Sequence, residues 1–369
     1  MNPKIPRREF VQKVGYAGAA LAALPALSVA GAEAAAKPVV LALVGCAHIH
    51  TPGFISVLNR RRDVEVKYVW DHDLARARRR APHLDAEVVP EVETIWSDPE
   101  VQGIVVCSET NRHYDLVHGA AKARKHMFVE KPLGMSAQQS RSMASAIQQA
   151  GVHFTTGYFM RGTPAHIMLR SHLANGTFGK VTRVQAWNCH GGSLGGWFDT
   201  EWRWMADPEQ SGVGGFGDLG THILDILMWM CGDVESATGD IKIVTGRYEN
   251  CDESGTGLLR FKNGITGSIT AGWVDVANPV SLLLSGTEGH AMILNGDLYL
   301  QSQNLEGADG KQPWKELPPA PSAPLEQFVD AVAGKPDVAL VTPAEAAARV
   351  SVMEAIYHGS RDRRWFGPA

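Results

Sequence analysis

From Pro38 onward the chain alternates short apolar runs with helix-like stretches, and this alternation leaves few folds open. The apolar runs fall at 39–44, 64–70, 103–107 and 126–129, and helical patterns such as 73–81 and 111–125 separate them. Parallel strands need a crossover of a dozen residues or more, and a helix supplies it, so this rhythm predicts βαβ units in a doubly wound sheet. Residues 37–160 therefore read as a Rossmann-type α/β domain.

After about residue 160 the rhythm changes. Longer alternating segments at 181–187 and 265–273 flank one strong helical pattern at 220–231. Period-two alternation marks strands with one covered and one open face, so residues 161–369 read as an α+β domain with a large, mostly antiparallel open sheet. A Pro-rich link at 317–324 precedes two closing helices near 325–333 and 343–360.

Composition excludes several classes. With 369 residues, 44% hydrophobic and 20% charged, the chain suits two folded domains. A net charge of -4 with both signs interspersed offers no stripe for phosphate backbones, so nucleic acid is not an expected partner. The five cysteines are widely spaced and contain no Cys-x-x-Cys pair, which points to buried apolar thiols rather than to disulfides or a zinc ribbon.

Residues 1–36 differ from the rest. Arg7-Arg8-Glu9-Phe10 leads into a Gly/Ala-rich apolar stretch, and Ala30-Gly31-Ala32 offers a small-residue cleavage site. These features predict a signal peptide of the twin-arginine type, recognised by the Tat export machinery, and hence a periplasmic location with no membrane span in the mature form. Cleavage after Ala32 removes Lys4, Arg7, Arg8 and Lys13 against Glu9, three net positive charges, taking the charge from -4 to -7. That route carries folded proteins, so a cofactor made in the cytoplasm must be bound tightly.

The chemistry begins after the first strand. At the place of a Gly-x-Gly-x-x-Gly turn stands Gly45-Cys46-Ala47-His48-Ile49-His50, with only the first glycine kept. Ala47 is small enough for close backbone approach to a pyrophosphate, whereas His50 replaces the residue that lets helix and strand pack. Thr51-Pro52 reads as N-cap and first helical residue. Asp71 ends the second strand, where a carboxylate accepts from ribose hydroxyls and repels a 2′-phosphate, favouring NAD over NADP; a helix N-cap is the alternative role.

Two later stretches carry a family pattern: Thr110-Asn111-Arg112-His113, then Val129-Glu130-Lys131-Pro132-Leu133-Gly134. In the second domain Ser211-Gly212-Val213-Gly214-Gly215-Phe216-Gly217 leads into Asp218-Leu219-Gly220-Thr221-His222-Ile223-Leu224-Asp225. Asp218 and His222 are four apart, on one face of a helix. The chain here resembles the Gfo/Idh/MocA oxidoreductases, and further similarity runs through Arg161, Pro164, Gly179-Lys180-Val181, Gly286-Thr287-Glu288-Gly289 and residues 342–357.

The resemblance implies that Glu130-Lys131-Pro132 lies beside the nicotinamide and that Lys131 contacts the reacting hydroxyl. It implies a cofactor set of Gly45, Ala47, His48, Asp71, Thr110, Asn111, His113, Glu130 and Lys131, and a substrate contact at Arg161. The expected reaction moves a hydride between a secondary hydroxyl of a sugar or cyclitol and NAD. His222 as neutral imidazole suits the base, Lys131 the developing alkoxide, and Asp218 a neighbouring hydroxyl or the orientation of His222. Trp197, Trp202 and Trp204 offer flat faces for a sugar ring, or simply fill the core.

Three rivals share parts of the pattern. His48-x-His50 at a strand end also begins metal sites in amidohydrolase-type barrels, but no further strand-end histidines follow at barrel spacing, so no metal is expected. A redox-neutral glycosidase or lyase on the same fold uses NAD transiently. A sugar-binding protein that has lost catalysis is disfavoured by the presence of Lys131, Asp218 and His222. Relatives pair through the open sheet, which makes a homodimer or homotetramer the expectation.

Replacing Arg7 and Arg8 together by lysine is expected to leave unprocessed precursor in the cytoplasm. Cell fractionation with antibody detection checks this, and periplasmic mature protein at the wild-type level would remove the export assignment.

Overall fold

The computed structural model describes residues 37–369; the proposed signal segment lies outside them. Strands Val39–Val44 (β1), Val64–Trp70 (β2), Glu87–Val88 (β3), Gly103–Val106 (β4), His126–Val129 (β5) and Phe154–Thr156 (β6) form one sheet, ordered β3-β2-β1-β4-β5-β6. Its five strand pairings are all parallel. The order reverses beside β1, which opens a crevice at the carboxyl ends of β1 and β4, the place where such sheets bind ligands. Leu41, Leu43, Ile104, Val105 and Val106 are wholly buried, because helices cover both faces.

The second sheet has seven strands: Val181–Cys189 (β7), Val234–Lys242 (β8), Ser254–Phe261 (β9), Thr266–Gly272 (β10), Val280–Gly286 (β11), Gly289–Leu294 (β12) and Asp297–Ser302 (β13). They lie in the order β13-β12-β11-β7-β10-β9-β8, antiparallel except for β10 beside β7. Helix Gly215–Cys231 packs across β7 and β10 and buries Leu224, Ile226 and Leu227. The opposite face stays open and mixed, with Gln185 bonded to Ser268 at 3.1 Å and Leu258 exposed.

The carboxyl-terminal helices, which by sequence fall in the second domain, return to the first. In helix Pro324–Val332, the residues Leu325, Phe328 and Val329 enter the core formed by Leu41, Leu43, Val69 and Phe128. In helix Pro343–Asp362, Ala346, Ala347 and Val350 join the cluster on the other face of that sheet, while Val352, Met353 and Ile356 pack into the second domain. One helix thereby ties both sheets together. The period of the pattern reveals that these helices exist, but not which core their apolar faces join.

Truncating Phe328 to Ala is expected to lower stability by about 3–5 kcal/mol through loss of buried ring contacts in the first sheet's core. Urea unfolding with an unchanged midpoint would show that the carboxyl-terminal helix does not belong to that core.

Candidate active site

The turn after β1 is built on backbone strain. Gly45 has φ of +84°, and a Cβ there would lie 2.5 Å from the Ser108 nitrogen, so only glycine fits. Its neighbours are tied inward: Cys46 N–H donates to Asp71 Oδ2 at 2.7 Å, and Ala47 and His48 N–H donate to the Cys107 carbonyl at 2.9 and 3.0 Å. The other Asp71 oxygen accepts from Asp73 N–H at 2.8 Å. Asp71 thus clamps the turn with both carboxylate oxygens, and burial pushes its pKa up against the pull of Arg76. The helix cap is Asp73, which accepts from Ala75 and Arg76 N–H. Helix Thr51–Arg60 begins one residue earlier than expected, with His50 at the cap position and Pro52 in its first turn.

Glu130 follows β5 and is fully buried. Its Oε1 sits 2.8 Å from His50 Nδ1 and 3.6 Å from His48 Nδ1, and Oε2 accepts the Lys131 N–H at 2.9 Å. Burial opposes ionisation, but the two imidazoles and the Lys131 cation hold the carboxyl far below the usual range. His48 is itself depressed to about 3, chiefly by burial. His113 anchors the same segment, with Nδ1 3.2 Å from the carbonyls of Pro132 and Leu133.

Lys131 Nζ makes a short contact with Asp218 Oδ1, joining the edge of the first sheet to the first turn of helix Gly215–Cys231. Asp218 Oδ2 accepts from the Trp273 indole N–H at 3.1 Å. Burial raises the Asp218 pKa, but Lys131 outweighs it and leaves the group at about 2. The glycines before Asp218 allow this approach, since a Cβ on Gly214 would meet the Asp252 carbonyl oxygen and one on Gly215 the Trp273 ring. Asp252 then caps the helix from outside, accepting from Gly214 and Phe216 N–H at 3.0 and 2.8 Å.

His222, one turn on, is buried. Its ring centroid lies 4.9 Å from that of Phe159, and its Nδ1 has no hydrogen-bond partner among the described residues. Burial, with Lys131 adding to it, keeps the imidazole well below its ordinary pKa and therefore neutral. Asp218 spends its carboxylate on Lys131 and Trp273, so it does not orient His222.

Several sequence-designated residues are placed elsewhere. Arg161 is not free for substrate: it pairs with Asp225 at 2.6 Å and Glu345 at 2.9 Å, and Arg349 holds the same Asp225 at 2.9 Å. Asn111 is exposed and reaches toward the Glu209 carbonyl at 3.5 Å, whereas Thr110 is buried beside Lys131. Trp204 is buried, and its indole N–H bonds the Ala47 carbonyl at 3.0 Å, bracing the turn. Trp202 packs against the second domain's core. Trp197, 47% exposed, stacks on His190 with centroids 4.7 Å apart and alone keeps an open face for a sugar ring. Phe159, His190, Asp252 and Trp273 were not singled out by sequence; isolated aromatics and acids carry no motif.

Comparison with known proteins then bears on this geometry. Residues 39–158 match the family model for the oxidoreductase family NAD-binding Rossmann fold, and residues 166–292 match the GFO/IDH/MocA C-terminal domain. The chain is 30% identical over 264 residues to trans-1,2-dihydrobenzene-1,2-diol dehydrogenase of Bos taurus, covering 71% of this chain and 74% of that one. The chain belongs to the Gfo/Idh/MocA family. It is 31% identical over 183 residues to myo-inositol 2-dehydrogenase of Thermotoga maritima, covering 47% and 50%. The fold superimposes on levoglucosan dehydrogenase in complex with NADH and levoglucosan with TM-score 0.74 at 17% identity, covering 90% of this chain and 100% of that one.

Membership in the Gfo/Idh/MocA family makes this chain an NAD(P)-dependent oxidoreductase and its first sheet an NAD-binding domain, and the open six-stranded sheet removes the amidohydrolase barrel. Polar atoms are left over near the carboxyl ends of β1 and β4: among the described residues, Glu109 Oε2, His113 Nε2 and Thr51 Oγ1 are buried without a hydrogen-bond partner. Of the expected cofactor residues, His48, Thr110 and Lys131 line one small cleft together with Asp218 and Trp204.

Asp225→Ala is expected to lower stability by about 3–5 kcal/mol, since it leaves Arg161 and Arg349 buried without their carboxylate. Chemical denaturation checks this; a stable variant with impaired substrate affinity would instead return Arg161 to the substrate site.

Proposed function

We propose that this Gfo/Idh/MocA chain transfers a hydride between NAD and a secondary hydroxyl on a sugar, sugar derivative or cyclitol, after export to the periplasm with the cofactor tightly held. The observation that carries the reading is the group formed by buried Lys131 and His222 with partly buried Asp218 at the carboxyl edge of the NAD-binding sheet. Bound NAD supplies the hydride acceptor. His222, neutral and without a partner at Nδ1 among the described residues, takes the hydroxyl proton. Lys131 donates to the oxygen as negative charge grows on it, in a site dry enough to make that interaction strong. Asp218 holds the ammonium in place and accepts from an adjacent hydroxyl.

The named relatives support the substrate class: a dihydrodiol, an inositol and an anhydrosugar are all rings bearing secondary hydroxyls. Trp197 stacked on His190 provides the flat apolar face such a ring needs. The carboxylate at position 71 favours NAD over NADP, because it places negative charge where a 2′-phosphate would lie. The open face of the second sheet is the surface through which a homodimer or homotetramer would form. Export rests on Arg7-Arg8 and the segment that follows.

His222→Ala is expected to lower kcat by roughly a hundredfold to ten-thousandfold while NADH affinity is unchanged. Steady-state rates and fluorescence titration of NADH separate the two, and a variant with full turnover would end the base assignment. Because His222 is depressed, the base stays unprotonated as pH falls, so kcat/KM should hold level down past the ordinary histidine value of about 6.5. A pH profile with its acid limb centred there would show that the base is a different, solvated histidine.

A further inference from the structure

The irregular turn of this chain has not been absorbed by the reaction above. His48 and His50 stand where a dinucleotide turn needs small residues; His50 Nδ1 meets Glu130 Oε1 at 2.8 Å, and His48 Nδ1, which accepts the His50 N–H at 3.2 Å, lies 3.6 Å from the same oxygen. The three donor atoms lie within 4.8 Å of one another. Two ligands at about 2.0–2.1 Å from a tetrahedral zinc ion are roughly 3.4 Å apart, and the pairs here stand at 2.8 and 3.6 Å.

Glu130 and His48 are buried, and among the described residues no permanent cation hydrogen-bonds the Glu130 carboxylate: its partners are an imidazole and the Lys131 N–H, while Lys131 Nζ is turned to Asp218. A fully buried carboxylate met by two imidazoles is a common divalent-metal donor set. His50 and Glu130 also line a cavity of about 400 Å³ together with Phe159, whose ring packs on His222.

We infer that His48, His50 and Glu130 form a site for one divalent transition metal of the zinc class, with its remaining position open to the cavity beside Phe159. Such an ion would take an oxygen of water or substrate there and act as a Lewis acid at the entrance to the hydroxyl site. The inference goes beyond the proposed reaction and does not rest on it.

The test uses full-length mature protein stripped with chelator and titrated with Co²⁺, whose visible absorption reports low-coordinate nitrogen and oxygen ligation. One Co²⁺ per chain, displaced by Zn²⁺ and weakened by more than roughly tenfold in both His50→Ala and Glu130→Gln, is the expected result. His50 is 39% exposed at its side chain, so its variant keeps the core intact; the thermal unfolding midpoint confirms this. Wild-type protein that takes no Co²⁺, or variants that bind it as wild type does, would overturn the site. NADH titration of the metal-free protein reads the cofactor crevice separately, so protein that binds NADH but no Co²⁺ loses the metal site alone.

Discussion

The buried contact between Lys131 and Asp218 is the interaction on which the site depends. It links the loop after β5 of the NAD-binding sheet to the first turn of the helix that covers the second sheet. An ammonium removed from water must have a partner, and its field then sets the charges around it. Asp218 stays ionised despite burial, and His222, one helical turn away, stays neutral. The same pair fixes which side of each domain faces the other. Trp273 holds the second Asp218 oxygen and Asp252 holds the helix start, so the carboxylate position is determined from the second sheet.

A second buried charge cluster supports the first from behind. Asp225 lies seven residues beyond Asp218 on the same helix and is gripped by Arg161 and Arg349. Arg161 comes from the segment leaving the first sheet, and Arg349 from the long carboxyl-terminal helix whose two ends pack into different cores. The family's Asp-x-Gly-x-His-x-x-Asp spacing thus has two duties on one helix: its first half meets the crevice and its last residue locks the domains. Replacement of the charged cluster by apolar groups would need simultaneous change on three elements, whereas loss of one member strands the others.

Much of the architecture was legible because period and chemistry coincided. Apolar runs such as 39–44 and 103–107 had to be covered on both faces, and the alternating 181–187 and 265–273 segments had to be covered on one; the sheets follow those rules. Lys131, Asp218 and His222 were findable because local spacing, Glu-Lys-Pro and a four-residue helical interval, carries them. What escaped depends on contacts between distant parts of the chain. The clamp of Asp71 on the Cys46 N–H joins the ends of two different strands, and Arg161 reads as a substrate contact until Asp225 and Glu345 are seen around it. The convergence of His48 and His50 on Glu130 spans two strands of the sheet, so no local pattern encodes it.

The central claim is that the crevice between the Gly45 turn and the Lys131–Asp218 pair holds NAD throughout the enzyme's life. It is tested most directly by purifying the protein, denaturing it, and measuring NAD(H) and NADP(H) in the supernatant. Stoichiometric NAD(H) with little NADP(H) is the predicted result. Folded protein that releases no dinucleotide and shows no binding of added NADH would contradict the account.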